Sequence, residues 1–194
     1  MYRTQRLLLR VFPGARYVNE YADSHGWPLR AREGDSAKAV ETTWDLGPIV
    51  TLHCVDDAIT GNAHVFVSSE VGNLAEAYLQ PAEDQLDIWS LDELLRLVDE
   101  AADPQEHGEA ILKLAVAAPY ESDERVARRF EEAVSSENPL LRDMTVWAMS
   151  LCTYPEFRTM LERVAETESQ HEVRGRARSL LELYDRHGVP DHAD

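Results

Sequence analysis

The residues of this 194-residue chain that could do chemistry crowd into one stretch: His53, Cys54, Asp56 and Asp57, with His64 a short loop further on. A thiol beside an imidazole is the pairing that nucleophilic catalysis needs, because a positioned base turns the thiol into a thiolate. Two imidazoles and a carboxylate are also common zinc donors. Asp57-Ala58-Ile59-Thr60-Gly61 reads as a short loop with Gly61 placed for positive φ, so its flanks read as a β-hairpin. If residue 57 pairs with 61, Cys54 faces His64 across the ladder and Leu52 faces Phe66. The same alternation makes Val50, Leu52, Cys54 and Phe66 one apolar face, in which Cys54 is a buried small hydrophobe. No third residue is placed to orient the histidine, as a triad requires. A metal site from His53, His64 and Asp56 needs a one-residue slip of register, which turns side chains to the wrong face. The expectation is no catalytic residue, no metal and no cofactor; an enzyme or small-ligand site at His53, Cys54 and His64 is the alternative.

The remaining chemistry-bearing patterns are sparse. No G-x-G-x-x-G or Walker-type loop occurs, which excludes nucleotide binding through the known phosphate loops. His107-Gly108-Glu109 lacks the second histidine of a zincin helix, and His187, Asp191 and His192 read as a fraying terminus. Two cysteines, Cys54 and Cys152, cannot make a disulfide framework, and a reduced cytoplasm is expected. The first ten residues carry only a three-leucine patch, too little for a secretory signal, and no apolar run approaches the ~20 residues of a membrane span.

The elements that must position these residues change character near residue 90. Before it, Gln5–Phe12, Lys38–Trp44, Ile49–Val55, Ala63–Ser68 and Gln85–Trp89 read as strands. Ala15–His25 reads as a helix, and Val71–Leu79 as a short helix or another strand. From Ser90 on, helices read over 91–101, 104–117, 124–136, 139–152, 155–168 and 171–186. Asp103-Pro104 and Asn138-Pro139 each put a capping residue before a proline at the first helical position. The expected fold is a small α+β domain over 1–89, an all-α domain over 90–188 and a flexible tail at 189–194.

The helical part repeats. Residues 103–116 shifted by 35 fall on 138–151, and those shifted by 32 fall on 170–183, so that Ile111, Val146 and Arg178 coincide, as do Leu114, Met149 and Leu181. A two-helix unit of 30–35 residues in three copies is the pattern of an α-solenoid. Glu172-Val173-Arg174-Gly175-Arg176-Ala177-Arg178-Ser179-Leu180-Leu181 is similar to the second helix of HEAT-like repeats. Leu140-Leu141-Arg142-Asp143-Met144-Thr145-Val146-Trp147-Ala148-Met149 looks like the same helix, while Gln105–Val116 departs further, with His107 in place of the arginine. The resemblance covers about 100 residues. It implies a three-unit HEAT-like solenoid serving as a binding scaffold, in which Arg142 and Arg174 order the repeat rather than act on a ligand.

Charge supplies the last constraint. The chain carries 19 Lys+Arg against 36 Asp+Glu, net −17, and residues 39–124 alone hold two basic and nineteen acidic residues. Such a surface repels phosphate backbones, so no nucleic-acid partner is expected. That argues against a HEAT-like DNA glycosylase, although Asp143 and Trp147 on one helix superficially fit one. The function expected is a non-catalytic protein-binding module, an adaptor or an immunity- or antitoxin-like inhibitor, that holds a basic protein. Its expected partner-binding residues are Glu83, Asp84, Asp87, Asp92, Glu93, Asp99, Glu100 and Glu106, an acidic junction between the two domains.

Overall fold

The computed structural model describes residues 1–187, so Asp191, His192 and the tail expected at 189–194 lie outside the described residues. The chain divides into two compact units, Met1–Ser90 and Leu91–Asp194. The first contains β1 (Tyr2–Arg3), β2 (Leu7–Leu8), α1 (Ala15–Ser24), β3 (Leu29–Asp35), β4 (Ala39–Gly47), β5 (Val50–Asp57), β6 (Asn62–Ser69) and α2 (Gly72–Gln85). Its strands form one antiparallel sheet in the order β1-β6-β5-β4-β3, with β2 also pairing β6. An α+β unit followed by helices is therefore what the chain forms. Three details differ from the sequence expectation. β3 was not anticipated, because an edge strand exposed at nearly every residue has no buried face to impose alternation; Arg30, Arg32, Glu33 and Asp35 guard that edge instead. Gln85–Trp89 makes a single bridge, Leu9 to Ile88, rather than a strand. Of Gln5–Phe12 only Leu7–Leu8 is a strand, while Val71–Leu79, read as helix or strand, falls largely in helix α2.

Register decides which side chains the sheet presents. Asp57 pairs with Asn62, not with residue 61, because its carboxylate accepts from the Ile59 and Thr60 N–H groups and Gly61, at φ +66°, closes a four-residue loop. The ladder then pairs Leu52 with Val67, Cys54 with Val65 and Val55 with His64. Trp44, Leu52, Cys54, Val65 and Val67 form the inner face, packed with Val18, Tyr21 and Ala22 of α1 and Ala75, Leu79 and Ala82 of α2. Cys54 and His64 point to opposite faces. The expected adjacency of Cys54 with His64, and of Leu52 with Phe66, is overturned by this one-residue offset.

Helix α1 begins at Gly14, which has no side chain to cap it. Asp56 reaches across from β5 to do so, its carboxylate accepting from Gly14 N–H at 2.5 Å and Ala15 N–H at 3.3 Å. A carboxylate there also meets the positive end of the helix dipole. The chain approaches so closely that a Cβ on Gly14 would lie 2.5 Å from Leu9 Cδ1 and 2.9 Å from Ala63 Cβ.

The second unit contains α3 (Leu91–Glu100), α4 (Pro104–Ala117), α5 (Glu124–Val134), α6 (Pro139–Ala148), α7 (Glu156–Thr167) and α8 (His171–His187). Asp103 and Asn138 cap α4 and α6 as their dipeptides with proline predict, each accepting from two N–H groups of the first turn. Consecutive helices pack as pairs, α3 with α4, α5 with α6 and α7 with α8. Alternate helices also touch, α4 with α6, α6 with α8, α3 with α5 and α5 with α7. Ile111, Leu114, Phe130, Val146, Phe157, Leu161 and Tyr184 are buried among them. Gly108 admits Met144, whose Sδ would lie 2.4 Å from a Cβ there.

Two substitutions test the start of α1. Asp56→Ala strips the cap from two buried N–H groups and is expected to cost about 2 kcal/mol. Gly14→Ala is expected to cost about 1–3 kcal/mol by overpacking. Urea unfolding of the sheet unit, followed by the fluorescence of buried Trp44, measures both; an unmoved midpoint for either variant would contradict the geometry.

Candidate functional site

The outer face of the sheet carries a hydrogen-bonded line across three strands. Glu41 on β4 lies with Oε1 2.8 Å from His53 Nδ1, and His53 Nε2 on β5 lies 2.7 Å from Ser68 Oγ on β6. A carboxylate only accepts, so Nδ1 carries the proton, Nε2 is the free lone pair, and the Ser68 hydroxyl donates to it. Burial lowers the pKa of His53, an effect that the Glu41 hydrogen bond and charge oppose and that Arg3 and Arg30 reinforce. The imidazole stacks on Phe66, with centroids 4.4 Å apart and planes 6° from parallel. Arg3 sits over the same ring at 5.4 Å. Arg30 donates to Thr51 Oγ1 at 3.1 Å, and Thr51 is the direct partner of Ser68 in the ladder. Ser68 is 2% exposed.

The residues singled out by the sequence are dispersed by this register. Cys54 is buried on the inner face, where burial and the nearby Asp56 charge push its thiol far above the usual range; it is no thiolate nucleophile. Asp56 is also inward, committed to α1. Asp57 holds the loop. His53 and His64 do share the outer face, but Phe66 lies between them, stacked on both. Burial holds His64 down to about 4, helped by Arg6 and opposed by Asp57, so it is neutral at pH 7. Among the described residues, no group of three or more His, Cys, Asp and Glu is arranged to hold a metal ion. Nothing in the residue pattern marks Glu41 or Ser68, because their meeting with His53 is made by register alone; the one available signal was a polar residue on each of three successive strands.

The acidic set is divided between the units: Glu83, Asp84 and Asp87 belong to the first and the other five to the second. Glu83 and Asp84 are exposed on α2, where burial, Asp84 and Glu76 raise the Glu83 carboxyl. Asp87 pairs with Arg10 at 3.1 Å. Asp92 pairs with Arg125 at 2.9 Å, and Asp99 takes both arms of Arg129, at 3.0 and 2.6 Å. Glu93 is half-buried on α3 and Glu100 is exposed at its end. Glu106 accepts from the Ala102 N–H at 3.0 Å. Glu100 and Glu106, with Glu109, rim a cavity of about 370 Å³ whose apolar wall is Leu97, Ala101 and Ala110 and which Lys113 also lines.

The arginines of the second unit have defined partners. Arg142 grips Glu168 at 2.6 and 2.9 Å, and its Nη1 donates to the carbonyls of Ser136 and Glu137, six and five residues earlier. Arg174 Nη1 likewise donates to the carbonyls of Glu168 and Ser169, at the same two offsets. His107 stands four residues after the Asp103 cap of α4, as Arg142 stands four after the Asn138 cap of α6. Arg176 pairs with Asp143 at 3.0 Å, which occupies the carboxylate that a glycosylase reading would have used. Trp147 is half-buried. Compared with protein-family models, with curated proteins and with solved structures, the chain matches none.

Glu168 gives the second unit a definite acid response. Its side chain is 4% exposed, and the Arg142 guanidinium holds its carboxyl at about 2 against 4.5 in the unfolded chain. A lowered folded pKa means the pair stabilises fully above about pH 4.5 and the stabilisation fades as pH falls toward 2. Removing Arg142 strands a buried charge, so Arg142→Met is expected to cost about 3–5 kcal/mol at pH 7. The stability advantage of wild type over Glu168→Gln should shrink by about 2 kcal/mol between pH 7 and pH 3. Denaturation followed by helical circular dichroism at the two pH values checks both, and a pH-independent difference would refute the pairing.

Proposed function

We propose that this chain is a protein-binding module, an adaptor or inhibitor, whose helical unit is a HEAT-like solenoid that holds a basic protein partner. The observation that carries the reading is the arginine clasp. Arg142 and Arg174, 32 residues apart, make the same pair of hydrogen bonds to the loop before their own helix, at offsets of six and five residues. An identical local device at the repeat spacing supports stacked, equivalent helix pairs, and the contacts between alternate helices support it further. Repeat scaffolds of this kind resemble binding proteins. No helix among the described residues is long and apolar enough to cross a membrane, and the reading places the chain in the cytoplasm, away from nucleic acid.

The partner's character follows from charge. Three of the eight carboxylates first expected to bind it, Asp87, Asp92 and Asp99, already hold an arginine of this chain. The acidic rim of Glu100, Glu106 and Glu109 over Leu97, Ala101 and Ala110 suits a lysine or arginine side chain, whose stem lies on an apolar wall while its head meets carboxylates. This reading shifts the weight from Asp92 and Asp99 to Glu100 and Glu109. Immobilised chain exposed to an extract of its source cells is expected to retain one stoichiometric basic protein at low salt and release it at moderate salt. Glu100→Lys with Glu109→Lys should weaken retention about tenfold or more, chiefly through slower association. Capture that ignores both salt and these substitutions, or no capture at all, counts against the reading.

A further inference from the structure

We propose that Glu41, His53 and Ser68 form a hydrolytic relay, with Ser68 a nucleophile that is acylated by esters. The inference concerns the first unit alone and goes beyond the binding reading of the helices, so either can fail without the other. The arrangement has the diagnostic form of an activated nucleophile: hydroxyl to base at 2.7 Å, and base to orienting carboxylate at 2.8 Å. The three groups come from three adjacent strands, β4, β5 and β6, so the line is held by the ladder rather than by a flexible loop. Stacking on Phe66 fixes the plane of the imidazole. The tautomer is the productive one, with the Nε2 lone pair aimed at the hydroxyl.

The surroundings supply the other two requirements. Arg30, whose Nη1 lies 3.1 Å from the side chain of Thr51 directly opposite Ser68 and 3.3 Å from Asp45 Oδ1, is the cation we assign to steady the oxyanion. Arg3, the β1 partner of Ser68, lies along the same face over Phe66. It is exposed and belongs to a two-residue strand at the sheet edge. Ser68 is only 2% exposed, and we assign to Arg3, its neighbour on this face, the movement that admits a substrate.

The chemistry balances without a co-reactant other than water. Ser68 Oγ attacks the ester carbonyl carbon while His53 Nε2 takes the hydroxyl proton. The carbon–oxygen bond to the leaving group then breaks, and His53 returns that proton to the departing alcohol. Water attacks the acyl-serine by the same route, its proton passing through His53, and the carboxylic acid departs with Ser68 restored. His53 is the catalytic base; Glu41 is a positioning residue. The burial that lowers the His53 pKa keeps the imidazole neutral, and therefore basic, at pH 7.

The test uses the full chain and an alkyl fluorophosphonate, which forms a stable phosphonyl-serine with loss of fluoride. Peptide mapping is expected to place one adduct, on Ser68, and Ser68→Ala to abolish it. His53→Asn should slow labelling by about a hundredfold or more. Glu41→Gln should slow it and move the midpoint of its pH–rate profile downward, because the carboxylate that favours the imidazolium is gone; a merely structural role would leave that midpoint in place. Arg3→Ala, which uncovers Ser68, should label faster. Circular dichroism confirms that each variant is folded, and the adduct site in wild type needs no variant. No adduct, an adduct on another residue, or a rate that His53→Asn leaves unchanged overturns the proposal.

Discussion

The sheet unit depends on one residue of register in the β5–β6 hairpin. Side chains alternate strictly along a strand, so pairing Asp57 with Asn62 rather than with Gly61 commits every neighbour at once. Cys54 goes inward as a hydrophobe, and Asp56 goes inward at the one height from which it can reach the bare start of α1. His53 goes outward between Glu41 and Ser68. The helix cap and the polar line are two consequences of the same offset. What sets the offset is local: the Asp57 carboxylate holding two loop N–H groups, and a glycine at positive φ closing the turn.

In the helical unit the equivalent constraint is carried by arginine. Arg125 and Arg129 of α5 reach Asp92 and Asp99 of α3, Arg163 of α7 reaches Glu131 of α5, and Arg176 of α8 reaches Asp143 of α6. A planar fork can hold a carboxylate with two bonds and still reach a carbonyl, which a lysine ammonium does with less definition. The exposed pairs contribute little, about 0–1 kcal/mol each. The fork of Arg142 on buried Glu168 matters more, because losing either partner leaves the other uncompensated, whereas the Asp99 that Arg129 holds is half exposed. Pairing removes charges in equal numbers, so the acidic excess must sit on what remains, including Glu83 with Asp84 on α2 and Glu100 with Glu109 at the end of α3 and on α4. Of these four, Glu83, Asp84 and Glu100 belong to the set expected from the sequence and Glu109 does not.

How much of this was legible in the residues depended on how local the cause was. The starts of α4 and α6 were, because Asp103-Pro104 and Asn138-Pro139 contain their own caps. The six helices were, because apolar residues recur along each at helical spacing, although α4 is buried nearly all round in its second half. The hairpin register was not, because Ala63-His64-Val65-Phe66-Val67 is apolar on both parities: Val65 and Val67 suit an inner face as well as Phe66 does. β3 was illegible for the opposite reason, having no buried face at all. Glu41 and Ser68 lie 27 positions apart on two separate strands, and only the folded ladder brings both to His53.

The two units answer acid through different groups, and the order follows from the signs. His64, buried and neutral, has its folded pKa lowered to about 4 from 6.5, so the unfolded chain binds the extra proton first and stability drains from the sheet unit as pH falls through that interval. Glu168 keeps its charge through all of it, so the stabilisation from the Arg142 clasp fades only below about 4.5, while burial also lowers the pKa of His107 on α4. A mildly acidic medium therefore draws stability from the sheet unit through His64 while the Arg142–Glu168 clasp is still intact. His64 is buried with its Nδ1 unpartnered, whereas His53 has the Glu41 carboxylate beside it and the helices bury Glu168 already paired.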